Sequence, residues 1–142
     1  MKWFPVFCLT FGWMVSSATA AELSVTDFGA VGDGVTLNTP ALQRAIDECS
    51  ARGGGTLRIP AGRFVTGTLE IKEGVTLRLE SDAALLGSTN AADYRNLDPF
   101  TDGTGAKLGY ALITAVAARR VGIEGAGTID GRGAALKAAQ GN

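Results

Sequence analysis

Glycine sets the first limit on what this chain can be. Twenty of the 142 residues are glycine, about twice the usual share. They do not gather in a linker but fall between short apolar runs. From Thr56 the order is Thr56-Leu-Arg-Ile59, Pro60-Ala-Gly62, Phe64-Val-Thr66, Gly67, Leu69-Glu-Ile71, Glu73-Gly74, Val75-Thr-Leu-Arg-Leu79, Ser81-Asp82, Ala84-Leu-Leu86 and Gly87. Each run spans three to five residues, and a turn signal arrives every six to ten. Val75, Leu77 and Leu79 point one way; Thr76 and Arg78 point the other. This is the rhythm of an all-β chain. The valine, leucine and isoleucine content argues against disorder.

One stretch breaks the rhythm. Asp27 to Pro60 reads as strand, turn, helix, glycine-rich turn and strand, after a short strand at Leu23-Ser-Val25. Thr39 is placed as the N-cap and Pro40 as the first helical residue. Leu42, Ala45, Ile46 and Cys49 form a single apolar stripe at i, i+3, i+4 and i+7. Gln43, Arg44, Asp47 and Glu48 take the other face, and Gly53 to Gly55 end the helix. A lone helix of about three turns is marginal by itself, so the stripe must cover something apolar. The run Gly29-Ala-Val-Gly-Asp-Gly34 lacks both the dinucleotide spacing and the Lys-Ser/Thr of a phosphate loop. Asp33-Gly34 is a turn signal.

The strands could build a sandwich or a solenoid. GVTLRLESDAALLGS (74–88) and RVGIEGAGTIDGRG (120–133) share one design: an alternating strand, a small-residue turn, a short apolar run and glycine. Repetition of one such unit favours a solenoid, and a stack of repeats needs a cap on its open end. Successive coils would then lie about 4.8 Å apart as parallel strands. The expected architecture is a parallel β-helix with an amino-terminal capping helix over residues 21–142, incomplete at its C-terminal end. No closing element is expected after the last strands, which would leave an unpaired edge.

Residues 1–20 read as a secretory leader. Lys2 supplies the positive start, Trp3 to Val15 is a short apolar run, and Ala18-Thr19-Ala20 offers a cleavage site. A mature chain starting at Ala21 would be secreted to the periplasm or exterior, free of the membrane, and monomeric. Removal of Cys8 with the leader leaves Cys49, so no internal disulfide can form. The chain has no histidine to activate that thiol, and its place on the apolar stripe marks it as structural. The formal net charge is −1, and no Lys/Arg cluster suggests nucleic acid.

Residues 88–110 are polar and interrupt the strands. They read as a long loop leaving the stack, and loops on rigid scaffolds often line binding sites. Tyr94, Phe100 and Tyr110 could stack on a sugar, while Arg95 or Lys107 could meet a carboxylate. The alternative is that the aromatic rings pin the loop to the stack and the charges are solvated. Asp82, Asp93, Asp98 and Asp102 are too scattered for a calcium site and read as turn residues. The strand pattern resumes at Ala111-Leu-Ile-Thr-Ala115.

Three motifs carry a family resemblance. They are DFGAVGDGVTLNTPALQRAID (27–47), GGGTLRIPAGRFVTGTLEIKEGVTLRL (53–79) and YALITAVAARRVGIEGAGTIDGRG (110–133). Together they resemble the pectate-lyase-like right-handed parallel β-helix proteins, and within those the polygalacturonases of glycoside hydrolase family 28. The resemblance spans nearly all of residues 21–142 but only the amino-terminal part of such an enzyme. It implies hydrolysis of α-1,4-linked galacturonan with inversion, with carboxyls far enough apart to admit a water. The family carries those carboxyls in an Asn-Thr-Asp motif and an Asp-Asp pair, accompanied by Gly-His-Gly and Arg-Ile-Lys. Here Asn38-Thr39 is followed by Pro40, no two aspartates are adjacent, histidine is absent, and Arg58-Ile59 is followed by Pro60. No catalytic, cofactor or metal position carries over, and the partner implied is the polysaccharide alone.

Two rival readings remain. Rhamnogalacturonases and pectate lyases share the cap and coils. Tailspikes and adhesins use the same stack without catalysis, and fold alone does not decide between them.

Overall fold

The computed structural model describes residues 21–105 and 107–139. The leader expected at residues 1–20 lies outside them. The chain opens with β1 (Ala21–Ser24), a 3-10 turn (Val25–Phe28) and β2 (Asp33–Leu37), then enters α1 (Thr39–Ala51). Strands β3 (Gly55–Ile59), β4 (Gly62–Thr66), β5 (Leu69–Glu70), β6 (Val75–Leu79) and β7 (Ala83–Gly87) follow. After them come β8 (Asn96–Thr101), β9 (Lys107–Tyr110), β10 (Ile113–Thr114), β11 (Gly122–Gly125), β12 (Thr128–Asp130) and α2 (Gly133–Ala139).

The strands sort into three parallel sheets, ordered β1-β3-β6-β11, β12-β7-β4-β2 and β10-β5. Each coil contributes one strand to each sheet in turn. Gly55 pairs with Val75, so one turn of the coil takes 20 residues here. This is the solenoid expected from the repeats and the right-handed parallel β-helix that the family resemblance implies, with the handedness that parallel crossovers favour. Like residues stack on like. Leu57 pairs with Leu77, which pairs with Ile123, and Phe64 pairs with Leu85, which pairs with Ile129. Thr56 and Arg58 face outward between Leu57 and Ile59, as alternation requires. Each fully buried leucine in such a ladder contributes about 1.5–3 kcal/mol.

Along the ladders burial falls in the last coil. Leu77 is 1% exposed and Leu85 0%, but Ile123 is 48% and Ile129 41% exposed. Strands β11 and β12 are the outermost members of their sheets among the described residues. The short helix α2, which the sequence reading did not foresee, buries none of its residues. Among the described residues, Ile123 and Ile129 of that edge stay about half exposed.

At the other end α1 replaces the third strand of the first coil. Ala41, Leu42, Ala45, Ile46 and Cys49 are buried in one cluster with Leu57, Leu69, Val75 and Leu77, so the stripe covers the coil interior as its spacing predicts. Two details of the cap differ from the sequence reading. Asn38, not Thr39, holds the N-cap position, and Thr39 is the first helical residue. Asn38 is 1% exposed. Its side-chain amide donates to the Val31 and Thr36 carbonyls and accepts from the Val31 amide at 2.7 Å, which folds the preceding loop onto the helix start. Thr39 Oγ1 accepts from the Gly67 amide at 2.7 Å and so ties the helix to the coil below.

Gln43 also departs from the solvent-facing role given to it. Its Nε2 donates to the Glu70 carbonyl and its Oε1 accepts from the Glu70 amide, both at 3.0 Å. One side-chain amide thus does for the free edge of β5 what a neighbouring strand would do. Ser50 Oγ donates to the Glu73 carbonyl one turn further on.

Smaller differences have local causes. The strand expected at Leu23–Val25 is Ala21–Ser24, because Val25 already turns into the 3-10 segment closed by Ser24 and Asp27. Asp33-Gly34 opens β2 rather than ending before it, yet the turn chemistry is present. The Thr36 hydroxyl, with the Thr36 and Val35 amides, holds the Asp33 carboxyl at about 2.

Two substitutions separate the tasks of the cap. Ile46→Asp buries an unpaired carboxylate at a site with no exposure, at a cost of about 4 kcal/mol or more. Most of the stability of a small domain is thereby lost, and urea unfolding followed by circular dichroism should show no folded baseline. Gln43→Leu keeps the volume but strands the Glu70 amide and carbonyl, at about 1–3 kcal/mol. It should stay folded with a lower midpoint; an unchanged midpoint would remove Gln43 from the edge-sealing role.

Candidate functional site

Among the described residues, the long departure from the coil lies between β7 and β10. Residues 88–110 are not the strandless loop that their composition suggests. After a 3-10 turn at Ala91–Asp93, β8 and β9 pair antiparallel, with Asn96 opposite Tyr110 and Phe100 opposite Leu108. Pro99 stands within β8, in a two-stranded hairpin where both strands are edges. Edge strands tolerate proline because the missing N–H is not needed by a neighbour, so the signal that suggested a loop was compatible with a strand.

The hairpin is rooted in the coil by buried polar groups. Thr68 is 1% exposed. Its Oγ1 donates to the Ala111 carbonyl at 2.8 Å and accepts from the Arg95 amide at 2.9 Å, so one hydroxyl clamps both legs. Ser88 Oγ bonds the Asp93 carboxylate, and the Tyr94 hydroxyl donates to the Ser88 carbonyl at 2.8 Å. Two glycines are needed for the close approach. A Cβ on Gly67 would lie 1.9 Å from the Asp93 carbonyl oxygen, and one on Gly87 would lie 2.5 Å from that of Gly131.

Between the hairpin and the next coil lies a cavity of about 550 Å³, lined by Ala91, Tyr94, Tyr110, Ala111, Leu112, Gly131 and Leu136. Its size and apolar walls are those of a small-molecule site. Of the three aromatic candidates, Tyr94 and Tyr110 share this cavity, whereas Phe100 sits further out on β8, 56% exposed. Tyr94 serves both readings of the loop. Its hydroxyl is pinned, and burial pushes its acidity down, opposed by nearby Arg132 and reinforced by Asp93. Tyr110 is 61% exposed and presents its ring. Arg95 supplies a backbone contact to Thr68 and does not line the cavity, and Lys107 stands opposite Thr101 in the hairpin ladder.

The described cavity lining carries no carboxylate. Asp82 sits in the left-handed turn between β6 and β7, Asp93 is engaged by Ser88, and Asp102 accepts from the Thr104 amide and hydroxyl. Asp98 lies in β8. Among the described residues no group of three His, Cys, Asp or Glu side chains could hold a metal ion. The Cys49 thiol is buried, and burial pushes its pKa up, with Arg52 opposing; it is a packed apolar group. Arg132 and Leu136 were not recognised from sequence. They lie beyond the last apolar run, and only the coil register brings them back beside the hairpin.

The amino-terminal motifs are shared with a known family. Residues 23–96, a little over half of the chain, match the family described as "Rhamnogalacturonase A/epimerase, pectate lyase-like". The chain belongs to this pectate-lyase-like family. An exo-poly-alpha-D-galacturonosidase of Dickeya chrysanthemi is 49% identical over 79 residues, covering 56% of this chain and 13% of that protein. The mannuronan C5-epimerase AlgE1 of Azotobacter vinelandii is 44% identical over 68 residues, covering 47% of this chain and 5% of that protein. Among solved structures, the family 28 exopolygalacturonase of Yersinia enterocolitica superposes with a TM-score of 0.71 at 38% identity, covering 81% of this chain and 21% of that one. The chain thus spans about a fifth or less of the length of these three proteins.

Replacement of Thr68 by valine tests how the hairpin is held. Losing a buried hydroxyl that serves two backbone groups should cost about 1–3 kcal/mol. The Arg95 amide should then exchange with solvent faster while the amides of α1 remain protected. Unaltered exchange at Arg95 would show that the hairpin is rooted elsewhere.

Proposed function

We propose that this chain forms the cap and opening coils of an exported glycoside hydrolase acting on pectin, one that cleaves α-1,4-linked galacturonan by inversion. One observation supports this reading over its rivals. The alignment with the epimerase covers less than half of the chain. The superposition with the family 28 exopolygalacturonase covers 81% of it, more than residues 1–96 can supply. The cap is common property of enzymes with different chemistry. The hairpin and third motif favour the hydrolase. Export rests on the leader reading of residues 1–20.

On this reading the chain builds a scaffold and one side of a sugar-binding region, and the acid and base lie outside it. Inverting hydrolysis needs one carboxyl to protonate the leaving oxygen and another to activate water across the ring, about 6.5–9.5 Å away. The described cavity lining offers neither. Purified chain incubated with polygalacturonate should release no reducing ends. A chimera with residues 21–139 in place of the matching segment of the Dickeya chrysanthemi enzyme should release them. A folded chimera inactive on polygalacturonate, or turnover by the chain alone, would contradict the proposal.

A further inference from the structure

All three parallel sheets end on strands of one and the same coil. Among the described residues β11 is outermost in the first sheet, β12 in the second and β10 in the third. Their inward side chains lack the cover that the same ladders receive deeper in the stack. Leu77 and Leu85 are buried, whereas Val121, Ile123 and Ile129 are exposed. Between β10 and β11 the interior opens as a recess of about 330 Å³, walled by Ile71, Ile113, Val121 and Ile123. Helix α2 turns its half-buried Leu136 to the hairpin cavity and not to this recess.

An edge of this kind pairs with a strand that meets it in register. The side chains along β11 select which strand that is. From Arg120 to Glu124 the order is cation, valine, glycine, isoleucine, anion, which complements itself when reversed. A two-fold axis beside Gly122 would pair β11 antiparallel with its own copy, the same patch serving both chains. Val121 would then oppose the partner's Ile123, and Arg120 the partner's Glu124. Glu124 is in position for this, because it lies beside Arg78 on the outward face. Arg120 meets Glu73 at 3.2 Å and Glu124 meets Arg78 at 2.8 Å, and both pairs are open to solvent. A guanidinium has five donors and a carboxylate several acceptor sites, so each can serve a second partner. Strand β10 precedes β11 and β12 follows it in the same coil. The same axis therefore sets β10 of each copy against β12 of the other, with Ile113 beside the partner's Ile129.

We propose that the open end of the coil binds a second copy of this chain, edge to edge, in place of the monomer expected from sequence. The contact is closed: it uses both open ends and leaves a capping helix α1 at each outer end, so growth stops at two chains. It does not rest on the substrate assigned above.

Sedimentation of the purified chain, with and without residues 1–20, should show a reversible equilibrium between one and two chains. Arg120→Glu and Glu124→Arg each set like charges against one another across the axis and should weaken the dimer about tenfold or more. An equimolar mixture of these two variants should regain the parental affinity, and so should the doubly substituted chain. Neither restores the pairs with Glu73 and Arg78 within a chain, so recovery reports the contact between copies. Ile123→Lys should give a folded monomer with an unchanged circular dichroism spectrum; if that substitution disturbs folding, the charge variants decide. A single chain at every concentration, or open-ended oligomers, would overturn the proposal. So would a dimer indifferent to both charge reversals. A dimer lost on removal of residues 1–20 would assign the contact to that segment and overturn it as well.

Discussion

A stack of parallel strands has an end, and the rest of this structure depends on how that end is sealed. The first coil would expose an apolar interior and a row of unpaired backbone groups, each costly to leave unmet once water is excluded. Helix α1 deals with both at once. Its apolar stripe covers the interior, and Gln43, Thr39 and Ser50 satisfy backbone groups of the coil below. The two requirements fix the helix rotationally. The stripe alone would tolerate some rotation about the helix axis, whereas a side-chain amide that must meet both polar groups of Glu70 would not. Asn38 then fixes where the helix begins by folding Val31 and Thr36 onto it.

Once the end is sealed, register propagates through the ladders. Parallel pairing in register places Leu57 on Leu77 and Arg58 on Arg78. The apolar ladder gains from this repetition, but the outward arginine ladder places like charges next to one another. The structure offsets that repulsion locally. Arg58 pairs with Glu80 and Arg78 with Glu124, both at distances under 3 Å. These half-exposed pairs contribute little stability individually, about 0–1 kcal/mol. Their effect is on register: a strand slipped by one residue would turn Leu77 outward and bury Arg78.

What was legible in the sequence follows from this division. Strand alternation and the helical stripe are local patterns with a fixed period, so Leu57, Leu77, Ile46 and Cys49 could be assigned inward from sequence alone. Gln43 could not be. A polar residue beside the stripe reads as solvent-facing unless the edge it meets is known, and that edge lies 27 residues away at Glu70. The hairpin was missed for a related reason. Pro99 and the glycines around it are loop signals, yet an isolated two-stranded ribbon tolerates them. Arg132 was overlooked because its partner, the Gly87 carbonyl, is a neighbour through coil stacking and distant in sequence.

The same division explains why four polar side chains of the most recognisable part of the chain are already occupied. The polar side chains Asn38, Thr39, Gln43 and Ser50 of the cap are already engaged with backbone groups, so none is free to act on a substrate. A segment so fully committed to closing a solenoid can be retained by hydrolases and epimerases alike, which accounts for a 44% identity to an epimerase over 68 residues. Chemistry must enter where the coil rhythm is released. The hairpin between β7 and β10 is such a place, because one buried hydroxyl at Thr68 holds both its legs while its far strands remain unconstrained by the ladders. Differences in substrate among proteins sharing this cap should therefore be sought in the inserted segments between coils and in the side chains, such as Leu136, that the next coil brings against them.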